Sequence, residues 1–202
     1  MKTIVASVEG LSPYSQSRSY DVERLQGEGF EDYEKRTWRS RLHVDAKGEV
    51  FIPPMAFKNA LAETAKFLSL GIPGKGKATY TKHFEAGVLA VEPAFLGIKA
   101  ADVQYERLFV PADGRPGSGK RVHKYFPVIP PGWKADFTFL CFDETCLQTW
   151  PETGQTVFQF VLERCGQFVG IGRFRPRNRG FYGRFQVNEF AVIDDLLAVA
   201  AE

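Results

Sequence analysis

The sequence lacks any apolar run approaching about 18 residues, any Cys-x-x-Cys pair, any Gly-x-Ser-x-Gly motif and any strong excess of one charge. The first absence excludes a membrane-spanning helix, and the apolar run in the N-terminal MKTIVASVEG is too short for a secretion signal. Cys141, Cys146 and Cys165 are an odd number without metal-ligand spacing, which disfavours a disulfide framework and a zinc site alike. A formal net charge of +2 rules out a generic polycation, so basic residues act here through where they cluster. The expectation is a cytoplasmic chain with no membrane partner.

What is present argues for a packed core. The chain has 202 residues, 44% of them hydrophobic and 14% aromatic, which suits one domain over 1–202 and excludes disorder. One stretch stands apart. From Arg164 through Asn188 there is no Asp or Glu, and its centre, Gly170–Val187, reads GIGRFRPRNRGFYGRFQV. Glycines permit positive φ and close backbone approach. Arginines fork onto phosphate oxygens and stack on rings. Exposed aromatics offer bases a surface. Arg173, Arg175, Arg177, Arg179 and Arg184, with Tyr182 as a stacking ring, therefore form a candidate nucleic-acid grip. The competing reading is a tight glycine turn with solvated arginines and aromatics in the core.

Along the chain, Lys2–Val8 alternates as a first strand. A polar segment over about 10–48 follows, in which Glu31–Ser40 predicts a short charged helix presenting Trp38. Asp45–Gly48 predicts a turn and Glu49–Ile52 a short strand. Pro53 and Pro54 open a helix, Met55–Leu70, that Gly71 should stop. Gly71–Lys82 is a basic glycine loop with Lys75, Lys77 and Lys82. Short strands at Val88–Val91 and Phe95–Ile98 lead to a hairpin insertion at about 105–128. Its polar tip and flank carry Arg115, Lys120, Arg121 and Lys124, and Pro127, Pro130 and Pro131 should end it. Asp136–Phe142 predicts a strand, Thr153–Phe168 a second helix, Arg184–Phe190 a last strand and Asp194–Ala201 a terminal helix. Without its insertions, the order is β-α-β-β-α-β, the α+β ferredoxin-like (RRM-like) pattern.

Two stretches approach a phosphate loop. Gly71–Lys77 and Gly114–Lys120 both read G-x-x-x-x-G-K, but Ala78 and Arg121 follow where Ser or Thr must hold magnesium. Their lysines suit phosphate contact without catalysis. His43, His83 and His123 could supply acid–base chemistry for RNA cleavage, yet no spacing unites them. Asp21, Glu23, Glu31 and Asp32 fit a metal or base role no better than a salt-bridged helix with Lys35 and Arg36.

Two motifs resemble the RAMP superfamily, the ferredoxin-like RNA-binding proteins of CRISPR effector backbones and guide processing. Ile52-Pro53-Pro54-Met55-Ala56-Phe57-Lys58-Asn59-Ala60-Leu61 resembles that superfamily's I-P-x-x-x-hydrophobic-K-x-x-L helix start. Gly170–Gly183 resembles its C-terminal glycine-rich loop, in the matching place between the second helix and the last strand. The departures are Pro54 and Met55 in place of small residues, and Asn59 in place of Gly. The resemblance implies a role in antiviral defence, with Lys58 facing a bound RNA backbone and the hairpin acting as a thumb. The expectation is a binder of single-stranded RNA (or DNA) that needs no cofactor, with further copies of itself or other ribonucleoprotein subunits as partners. The alternatives are a metal-independent endoribonuclease of that superfamily, and a protein-interaction subunit or decoy.

Overall fold

Alternation decides the sheet. In β1 (Lys2–Gly10), Ile4, Ala6 and Val8 are buried while Val5, Ser7 and Glu9 face outward, as the two-residue period of a strand requires. The computed structural model describes residues 1–112 and 119–193. The other strands are β2 (Glu49–Ile52), β3 (Val88–Ala90), β4 (Ala94–Lys99), β5 (Gln104–Pro111), β6 (Arg121–Val128), β7 (Lys134–Cys141) and β8 (Phe185–Ile193). The helices are α1 (Phe30–Thr37), α2 (Pro54–Leu68), α3 (Thr81–Ala86) and α4 (Val157–Arg164). The fold is α+β with antiparallel sheets.

Four strands form the main sheet in the order β3-β7-β1-β8, with β1 antiparallel to both β7 and β8. Its inner face meets α2 and α4. Phe57 of α2 lies 3.6 Å, centroid to centroid, from Phe137 of β7 and 5.4 Å from Phe185 of β8. Phe158 of α4 lies 5.4 Å from Phe139. Burying such rings is the largest single source of stability in a core of this kind, about 3–5 kcal/mol each against Ala. The outer face is not covered by any described element and carries Asp136, Ser7 and Glu189 in one cross-strand row.

Two smaller ladders stand outside this sheet, β2 with β4 and β5 with β6. The β5–β6 hairpin is tied to α1, because Glu31 accepts from both Arg107 (2.7 Å) and Tyr125 (2.9 Å).

Several local expectations are corrected. Trp38 is not presented to solvent: it is 4% exposed in the turn after α1 and packs on Tyr105. Ser69, not Gly71, takes the left-handed conformation (φ 48°) that ends α2. Residues 81–86 form α3, which takes in Thr81 and Lys82 from the end of the expected basic loop. Pro127 sits inside β6 without ending it; β6 is an edge strand of a two-stranded sheet, where proline is tolerated. The second helix begins only after the Thr156 cap, whose side chain accepts from Gln159 N, and it passes into a wider π turn at Cys165–Val169. The expected terminal helix at Asp194–Ala201 lies outside the described residues. No helix among the described residues is long and apolar enough to cross a membrane.

Candidate nucleic-acid interface

The arginine–glycine loop leaves the π turn at Gly170 and is pressed onto the segment that follows β1. Arg173 N donates to Ser15 O (2.9 Å), Gly183 N to Pro13 O (2.7 Å) and Arg184 N to Ser12 Oγ (2.9 Å). This approach is what the glycines permit. At Gly172 (φ 75°) a Cβ would stand 2.4 Å from Ser15 O, and at Gly183 (φ 69°) 1.9 Å from Ile171 O. Each of these glycines thus lets another part of the chain approach closely, Ser15 and Tyr14 at Gly172 and Ile171 at Gly183.

The same packing sorts the arginines. Arg173 lays its guanidinium 4.0 Å from the Phe126 ring centroid and 4.8 Å from that of Phe174. Its Nη1 donates to Ser17 Oγ (3.1 Å), while its Nε is buried without a partner. Burial, then the nearby Arg41, lower its pKa from the usual high value. It stays charged, as arginine does in proteins. Arg41 approaches the same Phe126 ring at 5.2 Å and pairs with buried Glu34 at 2.6 Å. Arg175 and Arg177 both pair with Glu63 of α2, at 2.7 and 3.2 Å. Arg184 donates to Gln167 O. Arg179, at φ 64°, is exposed and has no side-chain partner among the described residues.

Tyr182, expected to offer a stacking face, is 5% exposed and donates to Glu106 of β5. Its hydroxyl pKa is raised, first by burial and then by that carboxylate. The exposed ring of this turn is its neighbour Phe181, at 60%.

Where the loop meets the start of α2 there is a cavity of about 250 Å³, lined by Tyr14, Gln16, Ser17, His43, Pro53, Ala56, Gly172 and Arg173. None of these is acidic. Gln16 braces it, donating from Nε2 to Phe51 O (2.7 Å) and accepting at Oε1 from His43 N (2.6 Å). The imidazole of His43 is partly buried, and burial, then Arg18, push its pKa below the usual value. The start of the 15-residue α2 adds the positive end of its dipole; Pro53 and Pro54 carry no N–H, and Ala56 N is taken by Pro53 O (2.9 Å). An arginine, a chargeable imidazole, a hydroxyl and a helix N-terminus thus converge on one concave spot, which is the chemistry of an oxyanion site.

The remaining expected site residues divide into two groups. Lys58 is partly exposed in the first turns of α2. In the hairpin, Lys120 and Arg121 are exposed, Arg121 reaching Phe109 O and lying 5.2 Å from the Phe109 ring. Lys124 Nζ donates to Ala112 O (3.2 Å), and Arg115 falls outside the described residues. The base of this hairpin meets the loop through Phe126–Arg173 and Glu106–Tyr182.

Lys75, Lys77 and Lys82 do not join them. They follow the far end of α2, a helix about 22 Å long at 1.5 Å per residue. The histidines are likewise scattered. His83 pairs with Asp143 at 2.5 Å beside the Lys2 end of β1, and His123 stacks on Phe109 at 4.9 Å.

Sequence reasoning missed Gln16 and Ser17, which sit in the polar run after β1. Their only signal was polarity directly after a strand. His43 was weighed for catalysis and not for this cavity.

No protein-family model matches the chain, and no curated protein matches it in sequence. Among solved structures it is similar to a chain in a cryo-EM structure of the Type III-B Cmr-beta bound to cognate target RNA. That likeness has 11% identity, a TM-score of 0.58, and covers 96% of this chain and 61% of that one. The chain therefore spans about three-fifths of the length of that neighbour, and at this identity the likeness is one of fold.

Proposed function

We propose that this protein binds single-stranded RNA without cutting it, as a RAMP-type subunit of a CRISPR-type ribonucleoprotein. The observation that carries the reading is the acid-free cavity where Arg173, His43 and the first turn of α2 converge. A phosphate there would gain a charge-assisted contact from Arg173, whose Nε has no partner of its own. The fold shared with a chain from an RNA-bound assembly supports the same reading. The order of the main sheet, β3-β7-β1-β8 with α2 and α4 between its strands in the chain, supports the ferredoxin-like core that this reading assumes.

The path of the RNA differs from that on an RRM sheet. Asp136 and Glu189 flank Ser7 on the open face, and like charge there repels phosphate. The strand instead follows the arginine loop and the hairpin base, with Arg184 and Arg179 as further cations and Phe181 taking the stacking role expected of Tyr182. The hairpin cations Lys120, Arg121 and Lys124 extend the path, and Lys58 borders it from α2.

Anisotropy of labelled single-stranded RNA against salt tests this. Each phosphate contact contributes a slope of about 0.7 in log K against log salt, so three contacts give about −2. Absence of binding at about 50 mM salt, where such contacts are strongest, overturns the proposal.

A further inference from the structure

On the other side of the arginine loop lies a larger recess, of about 550 Å³, between α2 and α3. Ala62 and Phe67 form its floor, and Glu63, Lys66, Glu85 and Arg177 its rim. Phe67 is 50% exposed, and Phe168, 47% exposed, packs against it with ring centroids 6.1 Å apart. Two large aromatic side chains left open together call for an occupant, since burying each one would be favourable.

The rim says which kind. Arg177 lies 5.8 Å from the Phe67 centroid with its side chain 48% exposed, its Nε paired with Glu63 at 3.2 Å, so the guanidinium is held beside that ring. Glu63 is neutralised by Arg175 and Arg177 together. Lys66 and Glu85 have no side-chain partner among the described residues, leaving one donor and one acceptor facing the space. A nucleobase has flat faces that stack between an aromatic ring and a guanidinium, and a polar edge that meets a donor and an acceptor.

We infer that this recess holds a base of the bound strand, stacked on Phe67, which Phe168 backs, beside Arg177 and read at its edge by Glu85. The inference rests on the RNA-binding reading above and adds a base subsite to it. Glu85, an acceptor only, pairs with the exocyclic amino group at position 4 of cytosine, where uracil presents a carbonyl, so cytosine is held more tightly than uracil.

The test uses oligo(C) and oligo(U) RNA of equal length, with affinities measured for the intact chain and two variants. The wild-type protein is expected to prefer oligo(C) by about fivefold, one edge contact's worth. Phe67→Ala with Phe168→Ala should weaken oligo(C) binding by about tenfold while leaving the salt slope unchanged, because stacking carries no counterions. Glu85→Gln, at an exposed position that does not threaten folding, should abolish the preference while oligo(U) affinity holds.

If wild-type protein binds RNA with no base preference, and both variants bind as it does, the inference is overturned while the RNA-binding proposal stands. If the wild-type protein self-associates and the double Phe variant does not, the aromatic pair is a protein contact and the inference is likewise overturned. If the wild-type protein binds neither RNA, both readings fall.

Discussion

Two glycine-rich basic loops look alike in sequence and fold to opposite ends. Gly170–Gly183 is drawn inward: its backbone bonds to residues 13 and 15, Arg173 rests on Phe126, Arg175 and Arg177 pair with Glu63, and its glycines touch neighbouring backbone. The 71–80 loop is open. Gly74 and Gly76 also have positive φ, yet a Cβ at either would meet nothing within 4 Å, and Lys75 and Lys77 are exposed. One composition therefore serves two physical ends, close packing in the first loop and chain reversal in the second. Only the first builds a concave site.

The sharpest way to break this comparison is by substitution at the glycines. Gly183→Ala combines left-handed strain of about 1–2 kcal/mol with an overlap costing about 1–3 more, so a total loss of about 3 kcal/mol or greater is expected in urea unfolding. Gly76→Ala has strain alone, about 1 kcal/mol. Equal losses at the two positions would show that the arginine loop is not pinned as described.

Arg173→Ala should weaken RNA binding about tenfold, near 1.4 kcal/mol, by removing a charged contact in the cavity. Arg173 also packs on Phe126, so Arg173→Lys, which keeps the charge and most of the stem, separates the two roles. Recovery by Lys assigns the loss to phosphate, and no recovery to packing.

A smaller effect comes from His43. Its pKa lies below the usual value in the free protein, and a phosphate beside it would raise that pKa, so binding takes up a proton. Affinity should therefore rise severalfold as pH falls from about 7.5 to about 5.5, and His43→Gln should flatten the rise. A pH profile unaltered by that substitution would place phosphate elsewhere.

The smallest effect is predicted for Lys75→Ala with Lys77→Ala, at the far end of α2. Affinity should change by less than about twofold. A fall in the salt slope of about 1.4, two contacts' worth, would instead bring that loop into the strand's path.

Periodicity made most elements legible. The alternation of Ile4, Ala6 and Val8, of Asp136–Phe142, and the Pro-opened helix with Phe57, Leu61 and Ala65 were all readable, because burial on one face imposes a fixed spacing. The six residues of α3 were not, since fewer than two helical turns carry too little pattern to stand out beside glycines and lysines. Residues of the candidate site were legible as types and not as neighbours. Arg173 was expected to touch phosphate, but its partner Phe126 is 47 positions away and no spacing joins them. Tyr182 read as an available ring until Glu106, 76 residues away, accepted its hydroxyl.

By itself, the sequence determined the strands and helices of an α+β chain, the absence of acid from Arg164 through Asn188, and the tight loop before the last strand. These are local properties, set by side-chain period, backbone freedom and charge. Only the tertiary structure decided which cations remain available, and that a cavity forms between residues 14–17, His43, α2 and Gly172–Arg173. The reason is physical. A guanidinium's role depends on whether an aromatic face, a carboxylate or water lies against it, and that neighbour is chosen by chain segments far away in sequence.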